Sequence, residues 1–322
     1  MSHALILADI EGIIGIRDFM NEVERSKELY TREIEVYIEA LQNNGVKKIT
    51  VCDSHNEGNM ILPSIITENV SLVSKIVNIP FQEDYDFAIM VGFHGMSESC
   101  GIFPHTLRFD FRHLYAENVP IGEVELYCRW LGAHGVPVIL VTGDREAAYE
   151  AVFFNPYRIA CCVKSLYQNV IIEKSLLYKK LAKHIDIALR LDFSNCLSHD
   201  DSMITAEFYN KDTVEILANM GYSSYEGRLV FNNCADFVKR LYTLVSDLNM
   251  VNENFIKVNA AFLSEIRKLA KIVNKEDLEQ TEVLSLLSNT VITLDSRSRA
   301  EILKVFKELS GHYSVEHGET CP

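Results

Sequence analysis

The chain has 322 residues and a mass of 36.6 kDa, with 48% hydrophobic and 24% charged residues. With only 15 Gly and 7 Pro, this composition excludes a collagen-like chain, and its apolar content excludes an intrinsically disordered one. The net charge of −14 would repel a phosphate backbone, so we expect no nucleic-acid partner.

Four apolar runs of strand-like composition each end in polar side chains. They cover residues 4–8, 48–52, 87–92 and 136–142. Continuous apolar runs are typical of strands buried on both faces, which favours a parallel or mixed sheet covered by helices. Between the first two runs, apolar residues at helical spacing from Tyr30 to Leu41 predict a helix that ends near Gly45. These three elements would form a βαβ unit.

The later part of the chain changes pattern three times. Residues 108–122 predict a short antiparallel excursion, and a helix is expected to start near Ile121. Beyond residue 155 we expect a smaller α+β domain over 156–250, followed by a helical extension over 251–322. The predicted fold class is therefore α/β. A mixed, mainly parallel sheet flanked by helices would fill residues 1–155.

The sequence also predicts where the protein is found. No window reaches the roughly 18 uncharged apolar residues that a membrane span requires. The start of the chain has no basic region before its first apolar run, so no secretory signal is expected. We therefore expect a cytoplasmic protein without a membrane partner. The eight cysteines include no C-x-x-C pair, which argues against a zinc ribbon.

The polar residues after the predicted strands form a set that could bind a metal. Asp9 and Glu11 follow the first strand, His55 the second and His94 the third, while Glu123 lies at the expected helix start. Ligands of open α/β sheets gather outside the carboxyl ends of the strands, so these side chains should converge. Two imidazoles and three carboxylates suit zinc, with manganese or cobalt as the other choices.

Five ligands are more than one catalytic zinc uses. A carboxylate that bridges two metals roughly 3.5–4 Å apart would account for them, and Asp9 is the predicted bridge. Each element also has a structural interpretation. Asp9 and Glu11 could cap the segment that follows, His55 could belong to a turn, and a histidine that ends a buried strand could simply be structural. The combination of all of them favours the metal site.

Several short motifs occur in a fixed order along the chain. They are Asp9-Ile10-Glu11-Gly12, Asp53-Ser54-His55, Gly92-Phe93-His94, Pro104-His105-Thr106, Arg112-His113, Pro120-Ile121-Gly122-Glu123 and Gly143-Asp144-Arg145-Glu146-Ala147-Ala148. Together they resemble the zinc D-aminopeptidases of the dipeptide-operon type over residues 4–165. The spacings of 11 residues from His94 to His105 and 18 from His105 to Glu123 agree with that family.

The resemblance implies a role for each matched residue. Asp9, Glu11, His55, His94 and Glu123 would bind two zinc ions per subunit. His105 would be the catalytic residue, as nucleophile or general base. The implied protein is a hydrolase, a metal-dependent aminopeptidase that removes N-terminal D-amino acids from short peptides. The resemblance also implies a homo-oligomer, with the ring-stacked decamer of the family's best-known member as one possible form.

The residue types suit this chemistry, and two alternatives stay open. Zinc can polarise a carbonyl group and acidify water, and a histidine outside the ligand set can move a proton or attack directly. An acyl group on His105 could instead pass to an amine, which would make an amide-forming enzyme of specialised metabolism. The chain could also be a non-catalytic binding protein that a metal stabilises.

Four further residues carry predictions. Asp144 is expected to cap the helix that follows it. Lys164, at the end of a predicted strand, could orient a substrate carboxylate or be a solvated lysine. Glu125 and Tyr127 depart from the family pattern next to Glu123. We expect them to change which peptide fits if their helix lines the substrate pocket.

Overall fold

The computed structural model describes residues 2–16, 19, 21–164 and 174–251. The predicted helical extension lies almost wholly outside these residues. The chain forms two compact units, and the described part of the first comprises residues 2–16, 19, 21–107, 113–164, 174–204 and 231–239. The described part of the second comprises Arg108–Arg112, Thr205–Val230 and residues 240–251. The domain boundaries expected near residues 155 and 250 stay predictions.

Strands and helices alternate through most of the described chain. In chain order the strands are β1 (His3–Ala8), β2 (Lys48–Asp53), β3 (Val70–Ser74), β4 (Phe87–Phe93), β5 (Phe111–Ala116), β6 (Val119–Ile121), β7 (Val138–Asp144), β8 (Ile159–Lys164), β9 (Ile204–Phe208), β10 (Ser224–Tyr225) and β11 (Arg228–Phe231). The helices are α1 (Val23–Asn43), α2 (Glu123–Ala133), α3 (Arg145–Phe154), α4 (Lys174–Ala188), α5 (Asp212–Asn219) and α6 (residues 234–251). Short 3₁₀ helices lie at Pro63–Ile65, Ile76–Asn78 and Phe193–Cys196.

The larger sheet has six strands in the order β3-β2-β1-β4-β7-β8, and its neighbouring strands pair in parallel. The central strands β1 and β4 are buried along their whole length, which explains their unbroken apolar sequences. The predicted α/β fold class is therefore confirmed. The chain leaves β1 first toward β2 and β3 and later toward β4, β7 and β8. The switch point of this topology thus lies between β1 and β4.

Helix α1 connects β1 to β2 and completes the predicted βαβ unit. Its apolar stripe faces the core, because Tyr30, Ile34 and Leu41 have no exposed surface. The helix ends where expected, and Gly45 follows with a φ of +86°. α1 packs against α4, and α2 packs against α3.

A second sheet has five strands in the order β10-β11-β9-β5-β6. Its hairpins β5–β6 and β10–β11 are antiparallel, which confirms the predicted excursion between residues 108 and 122. Within the described ranges, we find no helix whose length and hydropathy would let it cross a bilayer.

Candidate metal centre

The predicted ligands meet at the carboxyl edge of the parallel sheet. Asp9 and Glu11 follow β1, His55 follows β2 and His94 follows β4, while Glu123 is the first residue of α2. Their side chains form three overlapping groups of three residues. Within each group, the potential ligand atoms all lie within 4.8 Å of one another, and one of the groups includes His105. The structure thus brings together all six residues singled out from the sequence, at the switch point between β1 and β4.

Two glycines allow the end of β1 and the end of β4 to approach so closely. A Cβ on Gly12 would lie 2.1 Å from the carbonyl oxygen of Phe93. Gly92 has a φ of +78°, and its Cβ would lie 2.1 Å from the carbonyl oxygen of Asp9. Only glycine fits at such contacts. These two positions therefore allow the loop that carries Glu11 to pack against β4.

Asp9 lies between two histidines and faces each with a different carboxylate oxygen. Its Oδ1 is 3.3 Å from Nδ1 of His55, and its Oδ2 is 3.5 Å from Nε2 of His94. Glu11 Oε2 is 3.2 Å from the same His55 nitrogen, and Glu123 Oε1 is 3.3 Å from the same His94 nitrogen. Each end of Asp9 thus belongs to a group of one histidine and one glutamate. A carboxylate that bridges two cations has this arrangement.

The donor set fits zinc. All five side chains are buried, and one buried carboxylate oxygen, Glu11 Oε2, has no well-aligned hydrogen bond and only the His55 nitrogen near it. The Nδ1 of His94 lies 2.9 Å from the carbonyl oxygen of Gly95, which can only accept a hydrogen bond, so Nδ1 carries a proton and Nε2 is left to bind a metal. Imidazole nitrogens and carboxylate oxygens are ordinary zinc ligands.

When no metal is bound, protons balance the negative charges of the buried carboxylates. Burial disfavours the His55 cation, yet the attraction of Glu11 and Asp9 raises the pKa of His55 to about 10. Burial also disfavours the His94 cation, but the attraction mainly of Glu123 raises the pKa of His94 well above its ordinary value. Burial and the neighbouring charge of Glu11 raise the pKa of Asp9 to about 7. At neutral pH, protons therefore occupy nitrogens that a metal would need.

We expect zinc binding to release protons and to strengthen as the pH rises from 6 to 8. The raised pKa values of His55 and His94 mean that zinc must displace a proton from each ring. The apparent affinity should then increase about tenfold per pH unit for each proton displaced. Calorimetric titration of the metal-free protein in two buffers with different ionisation enthalpies measures this release. An affinity that stays constant over this range would contradict it.

His105 lies beside the five-residue set. Its ring stacks on that of His94 with 4.1 Å between centroids, and its Nε2 is 3.8 Å from Oε1 of Glu11. Its Nδ1 is 2.8 Å from the carbonyl oxygen of Phe103, so Nδ1 carries the proton and Nε2 is the unprotonated nitrogen of the neutral ring. Burial, with a further contribution from His94, lowers the pKa of His105. A neutral imidazole at neutral pH is suited to accept a proton.

Asp144 caps α3 as predicted, and it also binds two main-chain N–H groups outside that helix. Its Oδ1 accepts from the main-chain N–H of Ala147 at 2.8 Å. Its Oδ2 accepts from the N–H of Gly95 at 3.1 Å and of Ile102 at 2.7 Å. One carboxylate thus ties the residue after His94 to the loop that leads to His105. The sequence does not show this second role, because a capping signal involves only neighbouring residues.

We expect Asp144→Asn to lower kcat/KM by about tenfold to a hundredfold, the usual effect of losing an outer hydrogen-bond partner of a metal site. Asparagine still caps a helix well, but its NH₂ group cannot accept from the loop N–H groups. Steady-state kinetics of the zinc-loaded variant measure the loss. Asp192→Asn, which alters the cap of the remote 3₁₀ helix at Phe193–Cys196, is the matched control. Equal effects of both variants would contradict the role of Asp144.

Glu150 is a second supporting residue that the sequence does not reveal. The first turn of α2 has no capping side chain of its own. Glu150, from α3, accepts from the N–H groups of Gly122 at 2.7 Å and Glu125 at 3.0 Å. An acidic group at a helix N-terminus also interacts favourably with the helix dipole. Glu150 thus holds the turn that carries Glu123.

Glu125 and Tyr127, which are expected to change the fit of the peptide if their helix lines the substrate pocket, have partners inside the protein, and their effect on substrates stays a prediction. Glu125 binds Arg129 at 2.7 Å and the buried Arg158 at 3.2 Å. Tyr127 is buried against Phe93, with 6.1 Å between the ring centroids. Successive helix residues point in different directions, so proximity to Glu123 in sequence does not place these side chains at the cluster.

A buried set of nitrogen and oxygen donors at the switch point of a doubly wound sheet defines an α/β protein with a candidate metal site. Residues 3–216 match the model of the peptidase M55 family, described as D-aminopeptidase. The chain therefore belongs to the peptidase M55 (D-aminopeptidase) family, which confirms the resemblance seen in its motifs.

A curated relative agrees with this assignment, and a solved structure shares the fold. The D-aminopeptidase of Bacillus subtilis (strain 168) is 30% identical over 168 residues, which cover 48% of this chain and 61% of that relative. The chain thus matches less than two thirds of that protein's length. A solved structure, the Zn-dependent D-aminopeptidase DppA from Bacillus subtilis, a self-compartmentalizing protease, is similar with a TM-score of 0.67. The two are 23% identical over 76% of this chain and 97% of that chain, which confirms the fold.

Proposed function

We propose that the protein is a zinc-dependent aminopeptidase that cleaves the N-terminal amide bond of short peptides, with D-amino acids as the N-terminal residues. The observation that carries this proposal is the position of Asp9, whose two oxygens face two separate histidine and glutamate groups. Two zinc ions per subunit account for this arrangement. Membership in the D-aminopeptidase family and the zinc dependence of the structural neighbour support it.

The ligands divide into two sets that share Asp9. His55 and Glu11 would hold one zinc ion, and His94 and Glu123 the other. Bound zinc would supply polarisation of the peptide carbonyl group and would lower the pKa of a water molecule towards neutrality. Since the ligand side chains are buried, bulk water is largely kept from the cluster, which strengthens electrostatic interactions there.

His105 is the proposed catalytic residue. Its Nε2 faces Glu11 in the cluster at 3.8 Å and, as the unprotonated nitrogen of the neutral ring, can take a proton from the attacking water and then give it to the departing amine. The hydrogen bond from Nδ1 to Phe103 fixes the tautomer throughout. Direct attack by Nε2 on the carbonyl carbon would use the same orientation.

The test of the proposal is metal content together with peptide cleavage. We expect two zinc ions per chain, measured by atomic absorption, and release of D-alanine from D-Ala-D-Ala by the zinc-loaded protein. L-Ala-L-Ala should be cleaved more slowly. A fully loaded protein that cleaves neither dipeptide would refute the assignment.

The two alternatives gain no support from the comparisons. The chain belongs to a peptidase family, and this favours water over an amine as the acceptor of the acyl group. The full set of potential ligands and His105 argues for catalysis over a purely structural metal site. Adding excess amine acceptor should therefore leave free amino acids as the products.

We further propose a homo-oligomer, and specifically a decamer. The support is the structural neighbour, which is a self-compartmentalizing protease. Light scattering coupled to size-exclusion chromatography would give about ten times the chain mass of 36.6 kDa. A monomer in solution would contradict the proposal. The cytoplasmic location stays a prediction of the sequence, and fractionation of producing cells tests it.

A further inference from the structure

Lys164 is a charged residue next to the cluster that the proposed mechanism does not use. It ends β8 and pairs in register with Asp144, the last residue of β7. Its Nζ donates a hydrogen bond of 2.6 Å to the main-chain oxygen of Glu11. The ammonium group therefore lies at the same edge of the sheet as the proposed zinc ligands.

The Lys164 ammonium lies inside the protein. The residue is 8% exposed, which contradicts a solvated lysine. Among the residues that the structure describes, no carboxylate forms an ion pair with it. The Glu11 carboxylate attracts the ammonium most strongly, followed by Glu33 and Asp144, although none of these three forms an ion pair with it. The carboxylates of Glu33 and Asp144 are bound to main-chain N–H groups. Arg158, which is also buried, is paired with Glu125. A buried cation that lacks such a partner retains the capacity to bind an anion.

The surroundings of the ammonium suit an amino-acid residue. The ring of Phe103 lies 5.6 Å from Nζ, and the main-chain oxygen of Phe103 holds His105. The ring of Phe19 packs edge-on against Phe103 and also against His55. A cation and two aromatic rings thus accompany the proposed catalytic histidine.

Glu11 alone spans the distance from the cluster to the Lys164 ammonium. Glu11 reaches the cluster with its carboxylate and reaches Lys164 with its main-chain oxygen. In a dipeptide, one residue likewise separates the carbonyl group that is cleaved from the C-terminal carboxylate. A tripeptide would place its carboxylate about 3.3–3.6 Å farther along an extended chain.

We propose that Lys164 binds the C-terminal carboxylate of the substrate, so that dipeptides with a free carboxyl group are the preferred substrates. This inference rests on the proposed peptidase function and adds the length and the charged end of the peptide. A lysine ammonium acts as a compact point charge with several donors, so it can keep its bond to Glu11 while it binds a carboxylate.

The experiment compares D-Ala-D-Ala with its C-terminal amide, using the zinc-loaded full chain. We expect kcat/KM to be about tenfold to a hundredfold lower for the amide, because a charge-assisted bond is lost in a buried site. Lys164→Met should bring the acid-to-amide ratio close to one while zinc content stays unchanged. Lys164→Arg should keep part of the preference. Lys48→Met, at the opposite end of β2 and paired with Glu83, is the matched control and should keep all of it.

Each other outcome overturns the inference in a recognisable way. Equal cleavage of both peptides by the unmodified protein would refute the role of Lys164 and leave the peptidase function standing. Cleavage of neither would refute both. If Lys164→Met loses activity equally on acid and amide, together with zinc, then Lys164 only positions Glu11. If that variant does not fold, as judged by its circular dichroism spectrum, the acid-to-amide ratios of the unmodified protein and of Lys164→Arg decide.

Discussion

His94→Ala is expected to lower kcat/KM by about a thousandfold or more and to remove about half of the bound zinc. Lewis-acid stabilisation by a metal is worth several kcal/mol, and each 1.4 kcal/mol is about tenfold in rate. His94 Nε2 faces both Asp9 and Glu123, so its loss leaves one side of the cluster with carboxylates alone. Zinc analysis and steady-state kinetics on the same preparation measure both effects.

The control for His94 is a half-buried histidine on a different helix. His184 lies on α4, where its Nδ1 contacts the carbonyl oxygen of Lys180. His184→Ala should keep full zinc content and activity. Glu123→Gln gives an independent check, because the amide keeps the shape of the side chain and removes its charge. Full activity in either cluster variant would contradict the zinc site.

His105→Ala is expected to lower kcat by about a hundredfold to ten-thousandfold, the usual contribution of a general acid or base. Zinc content should not change, because His105 lies outside the two proposed ligand sets. The cavity left by the ring lies beside His94, so added imidazole should restore part of the rate. This rescue separates a chemical role from a structural one.

The pH profile provides a second readout for His105. Burial lowers the pKa of its ring, so the neutral form that accepts a proton persists to lower pH than for an ordinary histidine. The acidic limb of kcat/KM should therefore fall below pH 6.5, the ordinary value for histidine. In His105→Ala this limb should change or disappear. An unchanged rate and profile in the variant would exclude His105 from the chemistry.

Much of the parallel sheet was predictable because its central strands are buried on both faces. β1 and β4 show this as unbroken apolar sequences, and the polar residues that follow them then had to lie at one edge. β3 was missed because it lies at the edge of the sheet, where part of its surface is exposed and its sequence is mixed. Helix α5, with eight residues, is too short for its pattern to stand out.

The residues that support the site could not be found from the sequence. Asp144 and Glu150 each accept hydrogen bonds from main-chain groups more than twenty residues away. Main-chain N–H groups are present at every residue except proline, so they leave no mark in the sequence. The same holds for Glu125, whose partner Arg158 is 33 positions away. The sequence shows the chemistry of each side chain, but the partner that each side chain binds depends on the folded chain.

The proposed ligands come from four separate segments between Asp9 and Glu123. Metal binding is therefore coupled to the stability of the folded chain. An unfolded chain cannot present them together, so zinc would bind the native state almost exclusively. Free zinc at a hundredfold excess over its dissociation constant would then add about 2.7 kcal/mol to the free energy of unfolding for one site. The melting temperature should thus rise with zinc supply. Cells short of zinc would lose not only the activity but also part of the protein, through faster degradation.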